Sequence, residues 1–507
     1  MTSNTYRSFD VFDTAIERSV YLPSDIFKLI EEKVGNDFYT KRIEAEKEIS
    51  KTIPYYTLKD IYSLLPEFSM DEELTAELEN CYANKEILTE YEKDPEHSVF
   101  ISDMYLPSEV IEKMLEKVGY TNPRVFVSCE LKALKFSGEA FKKVMKKLKG
   151  KISIHYGDNY VADIEGARRA KVPETRFKPA LHTRKLNLPV VKDTTLKKLC
   201  ALIEDNASGE EQLVFYVTPL VTEFTKWVIR ERKEGQKVFF LSRDMYIPYR
   251  LASEVLKEPD IYYIHASRKS LASVCLKSPD KELVERMSWI LSEDELKSKE
   301  EESIEETIKY LKKVGIQDGD MIVDIGYSGT IQAGIDSALG IKTKGMYMQV
   351  SDDKLKGVDM SMFLSRSVMI FLLMVETPLG SSEDCVISYK DEQPVFIPET
   401  EARKEQAVEL NNLLWEMSNQ LIYKSIPLFD VEQLLIHVQY YPSESIISLL
   451  NEGIYSNRCL GESIIGFDKD EIMRGNLRSL YDKSYCKPLF KKLLEADKEL
   501  AHLSKLL

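Results

Sequence analysis

The sequence predicts an α/β protein with two parallel sheets and a helical C-terminal region. A first group of short apolar segments alternates with helix-like stretches, at 99–101, 125–127 and 152–154. The same alternation returns after residue 211, at 238–241, 261–264, 321–323 and 345–350. Strands that alternate with helices are typical of a parallel sheet covered on both faces. Beyond about residue 401 only helical patterns remain.

The length of the chain predicts several domains, because 507 residues exceed what one hydrophobic core normally serves. We expect a first α/β domain at 1–180, with its core at 1–14 and 97–180 and a strand-free helical insertion at 15–96. A polar linker at 181–210, a second α/β domain at 211–400 and a helical region at 401–507 are expected to follow.

Helix signals fill the insertion. Ser24 is expected to cap a helix that ends at Gly35. Thr57 is expected to cap a second helix, since Asp60 stands three residues later. A third helical pattern extends from about 71 to 91.

Composition argues against some classes of protein. The net charge of −15 does not suit a general nucleic-acid or anionic-membrane binder, which needs a basic face. The N-terminal residues lack the apolar core of a signal peptide, and the longest apolar run, 368–375, is too short to cross a bilayer. Seven scattered cysteines without a Cys-x-x-Cys pair indicate reduced thiols. We therefore expect a cytoplasmic protein without a membrane span.

Four segments of the first domain carry polar side chains where strands are expected to end. Asp10 follows the first apolar segment, and Ser102 ends a second one. Lys135 stands just before a helical segment, while Asp158 and Asp163 follow the segment 152–154. The carboxyl ends of parallel strands meet at one edge of a sheet, where α/β proteins bind ligands. The four segments are therefore expected to form one site.

In this order, the four segments resemble the motifs of the haloacid dehalogenase-like (HAD) phosphohydrolases, over roughly residues 5–180. The resemblance implies a Rossmann-like core under a helical type-1 cap, with Asp10 as the nucleophile that forms an aspartyl-phosphate. Ser102 would hydrogen-bond the phosphoryl group, and Lys135 would neutralise its charge. Thr14 and nearby backbone amides would complete the phosphate cradle.

The resemblance also implies a Mg²⁺ ion between the phosphate and the nucleophile. Asp10, Asp158 and the backbone carbonyl of Phe12 would bind this ion, since Mg²⁺ prefers oxygen ligands. Asp163 would bind it through water or orient the other ligands.

The chain departs from the phosphatase pattern at Phe12, where these enzymes usually carry a second aspartate as general acid and base. Asp13, one position later, is a candidate replacement. A substrate with a good leaving group, such as an acyl phosphate, would need no acid. Dehalogenation would also need no general acid, but it would give no function to the negatively charged Asp158 and Asp163, which repel Asp10. Phosphoryl transfer is therefore the favoured chemistry.

The insertion occupies the position of the type-1 cap, which would exclude water and admit small substrates. Arg18 and Arg42 are the cap residues predicted to bind anionic groups of the substrate, with surface ion pairs as the alternative.

The second α/β domain also carries polar residues at expected strand ends. Arg243 and Arg268 follow two candidate strands, and Ser328 and Thr330 lie in a small-residue segment, 324–332, before a helix. The segment is neither a Walker A loop nor a Gly-x-Gly-x-x-Gly motif. These four residues predict a sugar-phosphate or nucleotide-sugar pocket, and a purely structural Rossmann-like domain is the alternative. The similarity of 100–107 to 240–248 is explained by duplication or by chance.

Together, these motifs resemble large bacterial HAD-like proteins found with surface-polysaccharide and glycosyltransferase genes. The resemblance implies a Mg²⁺-dependent phosphohydrolase for a small phosphorylated metabolite, such as a sugar phosphate, with association to glycosyltransferase machinery as a possible context. The alternative is a catalytically impaired HAD module attached to a nucleotide-sugar or sugar-phosphate binding or transferase domain.

Overall fold

The chain divides into two compact units. The computed structural model describes residues 4–181, 188–365, 372–451, 472–478, 490–491, 494 and 503. One unit comprises Met1–Leu188 and Lys192–Ala201, and the other comprises Pro189–Val191 and Leu202–Leu507. The segment expected to be a linker contains the helix Thr194–Asn206, and its residues 182–187 lie outside the described ones.

A five-stranded parallel sheet forms the centre of the first unit. The strands in the described part of this unit are β1 Asn4–Phe9, β2 Ile16–Arg18, β3 Cys81–Ala83, β4 Ser98–Ser102, β5 Val125–Val127, β6 Gly150–Gly157 and β7 Glu174–Phe177. The sheet has the order β5-β4-β1-β6-β7, so the chain first builds one side of β1 and then the other. This doubly wound, Rossmann-like order confirms the predicted fold class and places a switch point beside β1. Strand β7 was not predicted.

Helices cover both faces of this sheet. Alternate residues of β4 point to opposite faces, with Phe100 in one core cluster and Val99 and Ile101 in the other. The helices that follow β3 in this unit include Lys85–Glu92, Ser108–Lys117, Ser128–Leu131, Glu139–Leu148 and Gly166–Arg169, with a π-helical turn at Tyr160–Glu165.

The insertion is helical but is not free of strands, so that prediction is wrong. Strands β2 and β3, where the chain enters and leaves it, pair antiparallel. The expected helix at 71–91 is divided by β3, and the second part, Lys85–Glu92, packs on the sheet through Tyr91. The helices between β2 and β3 are Ile26–Val34, Phe38–Thr52, Leu58–Tyr62 and Met70–Glu79.

The helix caps of the insertion were predicted in part. Thr57 forms the expected capping box with Asp60, and Gly35 ends the first helix with φ of 62°. The expected cap at Ser24 is wrong, because this residue lies inside the 3₁₀ turn Pro23–Asp25. The Asp25 carboxylate instead accepts a hydrogen bond from the backbone N–H of Leu22 at 3.0 Å.

The second unit contains another five-stranded parallel sheet. Its strands are β8 Val238–Leu241, β9 Ile261–Ile264, β10 Met321–Asp324, β11 Lys344–Tyr347 and β12 Asp359–Met362, and β13 Cys385–Lys390 and β14 Gln393–Ile397 form a separate hairpin. The order β12-β11-β10-β8-β9 is also doubly wound, with its switch point between β8 and β10. The strand expected at 345–350 ends at Tyr347, and β12 and the hairpin were not predicted.

The second unit is otherwise helical. The longest helix, Gly209–Glu231, is buried over most of its length and contains Pro219. The charged segment near residue 300 forms the helix Glu293–Glu301, which has no buried residues and fits the solvated helix expected there. The remaining helices before residue 400 are Tyr246–Arg250, Leu251–Val255, Ala272–Leu276, Lys281–Ile290, Glu305–Val314, Thr330–Leu339 and Leu372–Leu379.

The C-terminal region is helical wherever it is described. Its helices are Glu401–Leu421, Leu428–Tyr440, Glu444–Asn451 and Ile472–Asn476. No described helix is both long and apolar enough to cross a membrane. The apolar run 368–375 is described only from residue 372 onward.

Candidate active site at the edge of the first sheet

The four predicted segments meet at the carboxyl edge of the first sheet. They line a cavity of about 430 Å³, together with residues of the insertion. The core residues that line it include Asp10, Phe12, Asp13, Ser102, Asp103, Lys135, Asp158, Asn159 and Asp163. Asp10 follows β1 and Asp158 follows β6, the two strands at the switch point. The topology of the sheet therefore explains why residues nearly 150 positions apart converge.

Three carboxylates form the base of the cavity. One oxygen from each of Asp10, Asp158 and Asp163 lies within 4.8 Å of the others. The buried hydroxyl of Thr14 lies between two of them and is within 3.4 Å of Asp10 Oδ2 and 3.3 Å of Asp158 Oδ1. This side chain therefore links the nucleophile candidate to a metal-ligand candidate, and its predicted role in binding phosphate stays a prediction.

Lys135 is the buried cation of the site. Its Nζ forms ion pairs with Asp10 and, at 2.5 Å, with Asp163 Oδ1. The two Asp103 oxygens accept hydrogen bonds from the backbone N–H of Lys135 at 3.1 and 3.0 Å. A Cβ on Gly166 would lie 2.1 Å from the Lys135 carbonyl oxygen, so only glycine allows this approach. The Asp103 carboxylate and the close approach at Gly166 therefore hold the backbone of Lys135 in place.

Asp163 is held from three sides. His155 Nε2 is 3.2 Å from Asp163 Oδ1, and the backbone N–H of Asn159 donates to Asp163 Oδ2 at 3.0 Å. The other ring nitrogen of His155 lies 2.9 Å from the Ser8 hydroxyl. A Cβ on Gly157 would lie 2.3 Å from Asp163 Cβ, so the strand end must be glycine here. The carboxylate is therefore positioned before any ligand binds.

Burial and mutual repulsion perturb the carboxylates. Burial raises the pKa of Asp10 well above its usual value, and the neighbouring Asp163 and Asp158 add to this against the opposing effect of Lys135. Burial, Asp13 and Asp163 raise the pKa of Asp158 to about 6. Burial also acts to raise the pKa of Asp163, but Lys135 and the His155 hydrogen bond outweigh it and hold that pKa below its usual value.

The donor set fits Mg²⁺. Three carboxylates and Lys135 carry a formal charge of −2 when all are ionised, which one divalent cation neutralises. All the side-chain donors are oxygen atoms, the ligands that Mg²⁺ prefers. The raised pKa of Asp10 indicates that its charge is incompletely compensated by protein groups alone.

Phe12 and Asp13 both line the cavity. The Phe12 ring lies 4.2 Å from the Arg18 guanidinium and cannot transfer a proton. Asp13 has a left-handed backbone with φ of 57°, and its N–H donates to the carbonyl of Ile16 at 2.8 Å. Its charge contributes to the raised pKa of Asp158, so its carboxylate lies near the metal-ligand candidates.

The two arginines nominated in the insertion are paired with carboxylates. Arg18 lines the cavity, but its Nε and Nη2 donate to Glu77 at 2.9 and 3.2 Å. Arg42 is 0% exposed and donates to Glu73 at 2.6 and 2.7 Å and to Glu46 at 2.8 Å. Arg42 is not among the cavity-lining residues, and its contacts connect helices of the insertion.

The four residues nominated in the second unit lie at the carboxyl edge of the other sheet. Arg243 follows β8 and donates to Glu399 at 2.7 Å, while Arg268 follows β9 and is exposed. The Ser328 and Thr330 hydroxyls, after β10, lie 3.1 Å apart. These residues therefore share one edge of a parallel sheet, as their strand-end positions predicted.

Sequence reasoning missed four residues around the first cavity. Asp103 holds the Lys135 backbone, His155 contacts Asp163, and Glu46 and Glu77 line the cavity from the insertion. Asp103 directly follows Ser102, and His155 precedes Asp158 by three positions at the same strand end, so their placement could have been inferred. Glu77 had no such signal, because its partner Arg18 lies 59 positions away, whereas Glu46 stands four positions after Arg42 on one helix and could have been noticed.

Comparison with known proteins adds little to this geometry. No protein-family model matches the chain, and no curated protein matches it. Among solved structures, the chain is similar to one assigned to the HAD hydrolases, YfnB from Bacillus subtilis bound to magnesium. That match has 17% identity and a TM-score of 0.25 over 34% of this chain and 88% of the other. A likeness at this level carries no argument about function, which must be argued from the residues of the site.

Proposed function

We propose that the first unit is a HAD-type, Mg²⁺-dependent phosphohydrolase that acts through an aspartyl-phosphate on a small phosphorylated metabolite. The observation that carries this proposal is the position of Asp10. It follows the central strand at the switch point, it contacts the buried Lys135, and it shares an acidic base with Asp158 and Asp163. A carboxylate beside a buried lysine and a candidate metal site is suited to attack the phosphorus atom of a negatively charged phosphate ester.

The first step is attack of an Asp10 oxygen on phosphorus with departure of the leaving-group oxygen. Mg²⁺, held by Asp10, Asp158 and the Phe12 carbonyl, would supply positive charge between the two anions. Lys135 opposes protonation of Asp10 and would stabilise charge on the transferring group. The Ser102 hydroxyl, at the end of β4 in the cavity wall, would donate to a phosphoryl oxygen, and the buried Thr14 hydroxyl would orient the Asp10 and Asp158 carboxylates.

The second step is hydrolysis of the aspartyl-phosphate by water, which restores Asp10 and releases phosphate. A general base accelerates this attack, and a general acid assists departure in the first step. Asp13 is the candidate for both roles, since it lines the cavity near Asp158. Phe12, which occupies the usual position of this group, can take neither role.

The cavity favours a small substrate. Its volume of about 430 Å³ lies in the range of small-molecule sites. Glu46, Glu77 and Tyr105 line it from the insertion or its border, and Arg18 is already paired with Glu77. A leaving group rich in hydroxyls suits this wall better than a second anion, and a sugar phosphate meets the description. The surface-polysaccharide context is proposed from the sequence resemblance.

The alternative is a catalytically impaired module, and Phe12 is the observation that favours it. Phosphate release from a panel of phosphorylated metabolites, measured with and without Mg²⁺, separates the two proposals. The hydrolase proposal expects Mg²⁺-dependent release by the wild type and none by Asp10→Asn. Release that is equal in the two proteins, or absent from every substrate including activated acyl and aryl phosphates, would contradict it.

A further inference from the structure

The second unit has a cluster of ionisable side chains at the switch point of its own sheet. Strand β8 lies between β9 and β10, so the loops after β8 and β10 leave the sheet in a crevice. Asp244 lies in the first of these loops, and Asp324 ends β10. Glu376 reaches the same place from the helix Leu372–Leu379, since its charge acts on both loops.

The three half-buried carboxylates are short of charged partners, although Asp324 Oδ1 accepts a hydrogen bond from the backbone N–H of Ile325 at 2.8 Å. None of Asp244, Asp324 and Glu376 has a cation within ion-pair distance among the described residues. Burial and the charge of Asp244 raise the pKa of Asp324 to about 7 and that of Glu376 to about 8. Acidic groups with strongly raised pKa values that lie together at the ligand-binding edge of a sheet are candidates for a functional site.

Arginine side chains surround these carboxylates. The exposed Arg268 acts electrostatically on all three, and no ion pair or hydrogen bond is described for its guanidinium. A Cβ on Gly380 would meet Arg403 Nη2 at 3.1 Å and Asp244 Oδ1 at 3.8 Å, so glycine leaves the space between them open. The cluster is therefore mixed in charge, and it favours neither a simple anion nor a simple cation.

Two buried hydroxyls, one in the loop after β10 and one in the helix Leu372–Leu379, are unsatisfied. Tyr327 Oη and Thr377 Oγ1 have no hydrogen-bond partner in the described part of the chain. Tyr327 is close to Glu376, Asp244 and Asp324, whose charges raise its pKa after the larger effect of burial. Thr377 is the neighbour of Glu376 in its helix. Buried hydroxyls without partners are costly, and a polar ligand would satisfy them.

The loop after β10 adds hydrogen-bond donors. The helix Thr330–Leu339 begins there, with Gly329 at its N-cap in a left-handed conformation, φ 77°. Free backbone N–H groups at such a helix start favour an anionic group. The hydroxyls of Ser328 and Thr330 stand at the same point. Donors for an anion thus lie on the same strand end as the carboxylates.

We propose that this edge of the second sheet is a separate binding site for a sugar that carries a phosphoryl group. Arg268 and the start of the helix Thr330–Leu339 take the phosphoryl group. Asp244, Asp324 and Glu376 bind sugar hydroxyls, since carboxyl groups accept hydrogen bonds from hydroxyls when ionised and donate to them when protonated. A sugar monophosphate and a sugar linked to a nucleoside diphosphate share this chemistry. The proposal does not depend on hydrolysis in the first unit.

Calorimetric titration of the full chain tests this site. Asp10→Asn serves as the parent protein, so that no probe is consumed, and the probes are hexose 1-phosphates, hexose 6-phosphates and nucleoside-diphosphate hexoses. Free hexose and inorganic phosphate are the fragments. We expect at least one phosphorylated sugar to bind at least tenfold more tightly than either fragment. The affinities of the hexose monophosphates and of the nucleoside-diphosphate hexoses will show which of these two classes the site prefers.

Variants locate the binding. Arg268→Gln and Asp324→Asn are each expected to weaken the affinity for the best probe at least tenfold, while Arg230→Gln, a change of another exposed arginine, leaves it unchanged. If the Arg268→Gln and Asp324→Asn variants bind the best probe as tightly as the parent protein does, the ligand binds elsewhere and the proposal is overturned. Binding of inorganic phosphate as tight as that of every sugar, or no binding of any probe, would overturn it as well. None of these three results would bear on phosphate release by the first unit of the wild-type protein.

Discussion

Replacement of Lys135 by methionine tests how charge is balanced in the first cavity. The lysine contacts Asp10 and Asp163, and its removal changes the formal charge of the cluster from −2 to −3. Removing one partner of a buried ion pair typically costs about 3–5 kcal/mol. Because the carboxylates border a cavity that water enters, we expect a loss near the lower value, about 3 kcal/mol at pH 8 without metal.

The loss should depend on pH and on Mg²⁺. The raised pKa values of Asp10 and Asp158, the latter about 6, mean that these groups take up protons as the pH falls. Protonation removes the repulsion that Lys135 had compensated, so the loss should shrink at pH 5. Mg²⁺ should restore part of it at pH 8, since a ligand that binds only the native state stabilises that state.

Hydrogen exchange provides the assay, because a chain of two units need not unfold in one step. The free energy of opening is read from backbone amides of β1 and β6, at pH 5 and pH 8, each with and without Mg²⁺. Lys146→Met, a change of an exposed lysine in the helix Glu139–Leu148, is the matched control and should change little. A loss for Lys135→Met that is equal at both pH values and insensitive to Mg²⁺ would refute this account of the cluster.

Four further outcomes are expected. Asp10→Asn should abolish turnover without unfolding the chain, because an amide cannot attack phosphorus. Circular dichroism checks the fold, and an Asp10→Asn variant as active as the wild type would exclude Asp10 as the nucleophile. Fluoride complexes of beryllium or aluminium with Mg²⁺ should raise the melting temperature of the wild type and not of Asp10→Asn, and equal shifts would count against an aspartyl-phosphate. Asp13→Asn should slow hydrolysis of alkyl phosphates about 10²–10⁴-fold and spare activated phosphates, and a harmless change would exclude Asp13 as general acid. Burial raises the folded-state pKa of Asp324 to about 7, so its stabilising contribution is lost as pH rises through that value; Asp324→Asn should therefore melt higher than the wild type at pH 8.5, with a difference that vanishes toward pH 4.

The strands of the two sheets could be predicted where apolar residues are consecutive. Strands β4, β8 and β10 are short buried apolar runs, and their ends locate Ser102, Arg243 and Asp324. The edge strands β7 and β12 lack this signal, since β12 has the sequence Asp-Met-Ser-Met and β7 has Glu-Thr-Arg-Phe. The β13–β14 hairpin turns through Asp391 and Glu392 at positive φ, without the glycine that usually marks such turns.

Contacts between distant residues limited the prediction of the site. Arg18 meets Glu77, 59 positions away, and Arg42 meets Glu73, 31 positions away. Neither pairing follows from helical or strand spacing, so both arginines were nominated as ligand-binding groups. The core residues were easier to nominate, because parallel strand order brings their loops together whatever the intervening length. Their catalytic roles, like the substrate contacts, stay predictions until activity is measured.

The short β2–β3 ladder constrains how the insertion can move. These strands are the two chain crossings between the insertion and the core, and they are joined residue by residue, from Ile16 with Ala83 to Arg18 with Cys81. Two separate connections would let the insertion twist and slide independently at each end. A hydrogen-bonded pair of strands can bend out of the plane of its ladder, but its two strands cannot slide or twist independently. We therefore expect the insertion to open mainly by rotation about one axis through β2 and β3, which a single distance across the mouth of the cavity would follow.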